Sequence, residues 1–141
     1  MINRIGHGKV VFGSEIHAEG AQNCAWSSDI HIEGTRNIAV GSGGHVEGAD
    51  NIGFGNNSHA EGQSNISRGN DSHVEGRYSI STGNASHAEG AFVTTLGDYS
   101  HAEGYWCIAS GVCAHAGGER STADHRASFA SGTYVSTGKE S

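Results

Sequence analysis

The sequence predicts an all-β protein, a parallel β-roll (β-solenoid) of about ten 14-residue coils in a single domain, 1–141. Three observations carry that prediction. Histidine recurs at His17, His31, His45, His59, His73, His87, His101 and His115, each 14 residues after the last. Glycine follows three positions on, at Gly6, Gly20, Gly34, Gly48, Gly62, Gly76, Gly90, Gly104, Gly118 and Gly132. A second glycine column lies seven residues further, at Gly13, Gly41, Gly55, Gly69, Gly83, Gly97 and Gly111; Ser27 and His125 interrupt it, and Lys139 replaces it at the end. A fixed period without insertion or deletion is the signature of a stacked repeat.

Each coil divides into two strands and two turns. The glycines are expected to supply the positive φ that tight turns need. Between them, segments such as "NIAV", "NISR", "SIST" and "CIAS" alternate as strands do. A helix is disfavoured, because each interior glycine costs about 1 kcal/mol. Coils stacked at about 4.8 Å would make a rod of roughly 45 Å. The hexapeptide helix needs multiples of six and the calcium-binding roll needs nine, so neither fits.

Alternation along a strand sorts the columns by face. Between histidine and the glutamate two residues on stand Ala18, Ile32, Val46, Ala60, Val74, Ala88, Ala102 and Ala116, all apolar and mostly small. They should face the inside of the coil. On the second strand Ala25, Ala39, Gly53, Ser67, Ser81, Thr95, Ala109 and Ala123 form another small, uncharged column. Next to it Ile38, Ile52, Ile66, Ile80 and Ile108 face the opposite way. Swapping the faces would bury isoleucine instead; Trp26, Arg68 and Asp124, two residues beyond that column, favour placing it outside.

The terminal coils differ from the rest, as capping repeats do. The first, 3–16, carries Asn3 and Ile5 in the histidine and glutamate columns and adds Val10, Val11, Phe12 and Ile16. The repeats proper run over 17–118, and a C-terminal cap region covers 119–141. There Phe129 and Ser131 replace the pair, one coil after Gly117 has replaced the glutamate. Apolar residues at both ends would shield open strand edges.

Composition bounds the rest. Hydrophobic residues make up 35% of the chain, glycine numbers 23 and proline is absent. So thin a core cannot offset the ordering entropy alone, and self-association becomes part of the fold. The three cysteines, Cys24, Cys107 and Cys113, imply no disulfide framework and read as reduced fillers. A formal charge of −7 argues against nucleic acid. No apolar run suits membrane insertion, and "MINRIGHGKVVFG" has no signal-peptide core.

The chemistry lies in the motif "SHAEG" and its variants. His17, His31, His45, His59, His73, His87, His101 and His115 should share an outward face with Glu19, Glu33, Glu47, Glu61, Glu75, Glu89 and Glu103. Stacked glutamates 4.8 Å apart would repel by roughly 3–4 kcal/mol per pair at an effective dielectric of 20. Histidine is the nearest counter-charge, and seven protonated partners would neutralise the chain. One reading is a solvated stripe. The other puts the face on a symmetry axis, with rings of histidine satisfying rings of glutamate. Buried pairing would raise histidine pKa values and lower glutamate ones, giving greatest stability just on the acidic side of neutrality.

The 14-residue period, the turn glycines (Gly20, Gly34, Gly48, Gly62, Gly76, Gly90, Gly104) and the small residue inside "SHAEG" resemble trimeric autotransporter adhesin heads. In that YadA-type β-roll the usual motif is S-V-A-I-G. The match is nearer still to the HAEG variant in phage tail and spike proteins. The resemblance covers about residues 3–132 and implies a left-handed roll in a parallel homotrimer, with the histidine and glutamate positions lining its axis. This chain departs in carrying polar residues where adhesin heads have valine and isoleucine. The resemblance implies a rod segment of a phage tail fibre, spike or bacterial adhesin on a virion or cell surface, partnered by itself and by a host receptor.

A surface-binding module is the alternative, with Trp26, Tyr78, Phe92, Tyr99, Tyr105 and Trp106 available to a glycan. A third reading is a metal-binding spike: histidines converging with carboxylates can hold zinc or nickel at one of the rings. The repeated ladder is better explained as structure, so no cofactor is expected. Catalysis is not expected either, because the metalloprotease, nucleophile-elbow and phosphate-loop motifs are missing. In "SHAEG" the serine and histidine point to opposite faces and cannot form a dyad.

Overall fold

The computed structural model describes residues 8–137 as an all-β parallel solenoid of about nine turns. Asn3, Ile5, Gly6 and Lys139 lie outside the described residues. Two parallel sheets face one another. One has nine strands, running from His17–Ala18 to Phe129–Thr133; the other has ten, from Val10–Val11 to Ser136–Thr137. Every strand pairs with those one coil away, in a register of 14: His73 lies between His59 and His87, and Ile66 between Ile52 and Ile80. Backbone amides bond along the rod, as His73 N–H does to Ser86 O at 2.9 Å and Ile66 N–H to Ser79 O at 2.9 Å. Among the described residues no helix is long and apolar enough to cross a membrane.

The interior follows the alternation. Ile32, Val46, Ala60, Val74, Ala88, Ala102 and Ala116 are buried, as are Ala25, Ala39, Ser67, Ser81, Thr95, Ala109 and Ala123 facing them. The isoleucines stand outside: Ile38, Ile52, Ile66 and Ile80 are half-buried and Ile108 is exposed. Beside them Trp26, Phe54 and Leu96 are also exposed. The space between the sheets therefore admits only small or branched side chains.

The two turns differ, and one expectation fails. Glycines of the first column do adopt positive φ, from +87° at Gly20 to +131° at Gly132. Those of the second column do not, Gly13 apart. In that turn the left-handed residue is two positions on: Asp29, Gly43, Asn57, Asp71, Ala85, Tyr99, Cys113 and Ala127. The second-column glycines answer to proximity instead. A Cβ at Gly55 would overlap the carbonyl of Gly69 in the next coil. The first turn holds a second left-handed residue as well, such as Tyr78 at 56° or Trp106 at 57°. A non-glycine residue there costs about 1–2 kcal/mol. It aims the amide back along the rod, as Tyr78 N–H does to Gln63 O at 3.0 Å.

The interior also contains two polar columns. Asn23, Asn37, Asn51 and Asn65 are fully buried at the first turn. The Asn51 amide donates to Glu47 O at 2.6 Å and Gly62 O at 2.8 Å, and its Oδ1 accepts from Asn65 N–H at 2.8 Å. At the second turn Ser72, Ser86 and Ser100 donate to Gly69, Gly83 and Gly97 carbonyls at 2.5–2.6 Å. These side chains close turn carbonyls that the strands leave open, as buried polar groups must.

The end coils bear out the apolar cap only in part. Val11 is buried, with Ile16 and Val135 packed against the core. Phe129, however, is 65% exposed and stacks on His115 at 4.8 Å, so it ends the histidine file outside the roll. The cysteines are unpaired. Cys107 fills a buried asparagine position, Cys24 is half-buried and Cys113 is exposed, so the last is no filler.

Candidate functional site

The nine-stranded sheet brings the eight histidines of the repeat into one file on its outer face. Because the pairing is in register and the strand alternates, His17 to His115 share a side and Glu19 to Glu103 lie beside them. Where a serine precedes the histidine it points inward: Ser58, Ser72, Ser86 and Ser100 are buried. Among the described residues these serines and histidines form no dyad.

The imidazoles stack face to face, with centroids 4.4–4.9 Å apart and planes within 9–20° from His17 to His101, widening to 40° at His115. The strand spacing imposes this distance, and offset aromatic stacking tolerates it.

Pairing with glutamate changes along the file. His31, His45 and His59 each hold the glutamate of their own coil at 3.0–3.1 Å through Nε2. His17 lies 3.1 Å from Glu19. At His73 and His87 the gap opens to 3.6 Å, beyond a hydrogen bond. His115 is nearest Glu103 of the preceding coil, at 3.7 Å. The Nε2 atoms of His73, His87 and His101 are shielded from solvent without a partner. The expectation of one counter-charge per glutamate thus holds only for the first half of the ladder. These pairs are a third or more exposed, and such pairs contribute little each.

The expected rise in histidine pKa is overturned at His73, whose pKa is lowered. Burial is the largest cause, followed by the charges that His59 and His87 would carry; Glu75 and Glu61 oppose the shift without reversing it. Stacked imidazoles discourage one another's protonation. With the folded value below the unfolded one, the unfolded chain binds the proton first. Stability at this site is therefore full above about pH 6.5 and is lost as pH falls through the folded value. Metal-free protein should melt at a lower temperature at about pH 5 than at about pH 8. A rise in melting temperature on acidification would count against the lowered pKa of His73.

A second surface feature lies at the first turn. Tyr78, Phe92 and Trp106 stack at 5.3 and 4.8 Å, with Tyr105 edge-on to Trp106 at 6.2 Å. Tyr78 and Trp106 are exposed. Nearby coils carry Arg36, bidentate to Asp50 at 2.6 and 2.7 Å, in the same column.

Sequence reasoning missed the asparagine and serine columns. The signal was present: asparagine recurs every 14 residues at Asn23, Asn37, Asn51 and Asn65, the last three directly before isoleucine. No protein-family model matches the chain, and no curated protein matches it.

Proposed function

We propose that the chain is a structural, adhesive rod segment of a left-handed β-roll homotrimer, as in HAEG-type phage tail fibres and spikes or bacterial adhesins. The histidine and glutamate columns face the trimer axis in this reading. What supports it above all is the file of eight stacked imidazoles on an outward sheet face. Their rings stack in register, and three Nε2 atoms are already shielded from water. Ring nitrogens already withdrawn from water suit contact with another copy better than contact with solvent. The solenoid supplies the rod, and its thin interior supplies the need for partners.

The rod is read as non-catalytic and as displayed on a virion or cell surface. It either spaces a receptor-binding tip or touches the host itself. Light scattering coupled to size exclusion is the test. A mass near three times 14.5 kDa is expected; a monomer would overturn the axial ladder.

The aromatic stack favours a second reading, a glycan-binding flank. Flat, exposed rings in series offer the apolar faces that sugars stack on. Loss of host-cell binding by Trp106→Ala with unchanged mass would select it.

A further inference from the structure

We infer that His87, Glu89 and His101 form a binding site for one divalent first-row metal ion of the zinc class. One nitrogen of each imidazole and one carboxylate oxygen of Glu89 lie within 4.8 Å of one another. Two further observations favour an ion here. The Nε2 atoms of His87 and His101 are shielded from water yet have no hydrogen-bond partner. The Glu89 carboxylate stands 3.6 Å from His87, so no histidine hydrogen bond holds it. Two imidazole donors and a carboxylate thus meet around a common point with their lone pairs uncommitted.

Leaving two shielded nitrogens unsatisfied is costly, and a bound cation removes that cost. Zinc takes imidazole nitrogen at about 2.0–2.1 Å and carboxylate oxygen at about 2.0–2.2 Å. Tetrahedral donors at those lengths are about 3.3 Å apart, so the three side chains must close by about 1.5 Å at most. Small χ rotations on an outer face allow this. Water completes the fourth position. Nitrogen with oxygen donors suits zinc, nickel, cobalt and copper and disfavours magnesium and calcium, which take oxygen.

Among the described residues the other such group is His17, His31 and Glu33. There Glu33 is already bonded to His31 at 3.0 Å, and the side chains are more exposed. An ion would have to break that pair. At His87 and His101 it breaks none. All three ligands come from one chain, so the site does not depend on the trimer.

The test uses the full, untagged chain, stripped with chelator and titrated with zinc chloride by calorimetry. One ion per chain is expected. Glu89→Gln and His101→Gln should each weaken binding by more than the about 10–100-fold that changes behind a ligand cause. Glu33→Gln should leave it unchanged. Cobalt in place of zinc should give the intense visible bands of a tetrahedral site, which report coordination directly, and circular dichroism of each variant confirms the roll. No saturable binding would overturn the inference. So would binding that survives Glu89→Gln and His101→Gln, or that Glu33→Gln abolishes.

Discussion

Gly62→Ala is expected to lower the melting temperature by about 10–15 °C, a large effect for a single methyl group. Gly62 lies at φ +102°, and a Cβ there would overlap the carbonyl oxygen of Gly76 in the next coil. Overpacking against backbone costs about 1–3 kcal/mol, and a side chain in that backbone region costs about as much again. The sum is about 4 kcal/mol. Neither cost can be relieved locally, because Gly76 is held in the same way by Gly90. Gly44→Ser is the control. Gly44 occupies the column where the following coils carry Ser58, Ser72, Ser86 and Ser100, and the nearest atom to its absent Cβ is 3.2 Å away. It should melt within a few degrees of the parent. Equal losses in both variants would show that glycine matters here only through chain entropy.

Asn51→Asp should cost about 3–5 kcal/mol at neutral pH, although it exchanges one polar group for another of the same shape. The Asn51 side chain is fully buried and donates to two carbonyls, Glu47 O and Gly62 O. A carboxylate would turn both donor bonds into repulsions, with no cation to offset them. Asn51→Val removes the same bonds without adding charge and should cost less, about 2–3 kcal/mol; Val93 already stands in this column. The two variants separate under acid. Burial would raise the folded pKa of the new aspartate, so its penalty applies above that value and fades as pH falls towards the unfolded value near 3.9. Urea midpoints of both variants, each referred to the parent at the same pH, measure this. A gap between them that does not narrow on acidification would mean the site is wetter than the structure has it.

The period, the strand pairing and the identity of the inner faces were legible in the sequence because all three follow from one periodicity of 14 and one of two. His73 had to share a side with Glu75, and Val74 had to oppose them. The asparagine and serine columns were harder to read. Buried polar side chains are disfavoured unless a partner exists, and the partner here is a turn carbonyl whose direction the sequence does not carry. The second glycine column was assigned the wrong cause for a related reason. Glycine relieves both torsional strain and crowding, and only the position of Gly55 against Gly69 tells which applies. The ladder was legible as a face but not as a gradient: that His59 grips Glu61 while His87 stands off Glu89 depends on distances of half an ångström.

The uninterrupted register between neighbouring coils has an evolutionary corollary. Since each coil rests on the next through the same 14 positions, a single inserted residue would turn every later side chain to the opposite face. A whole coil gained or lost disturbs nothing but the distance between the ends. Such a gene can drift in length only by discrete steps, each worth about one strand spacing of 4.8 Å. The molecule is in effect a ruler whose graduations are cut by its own hydrogen bonds, and selection for reach would act by counting them.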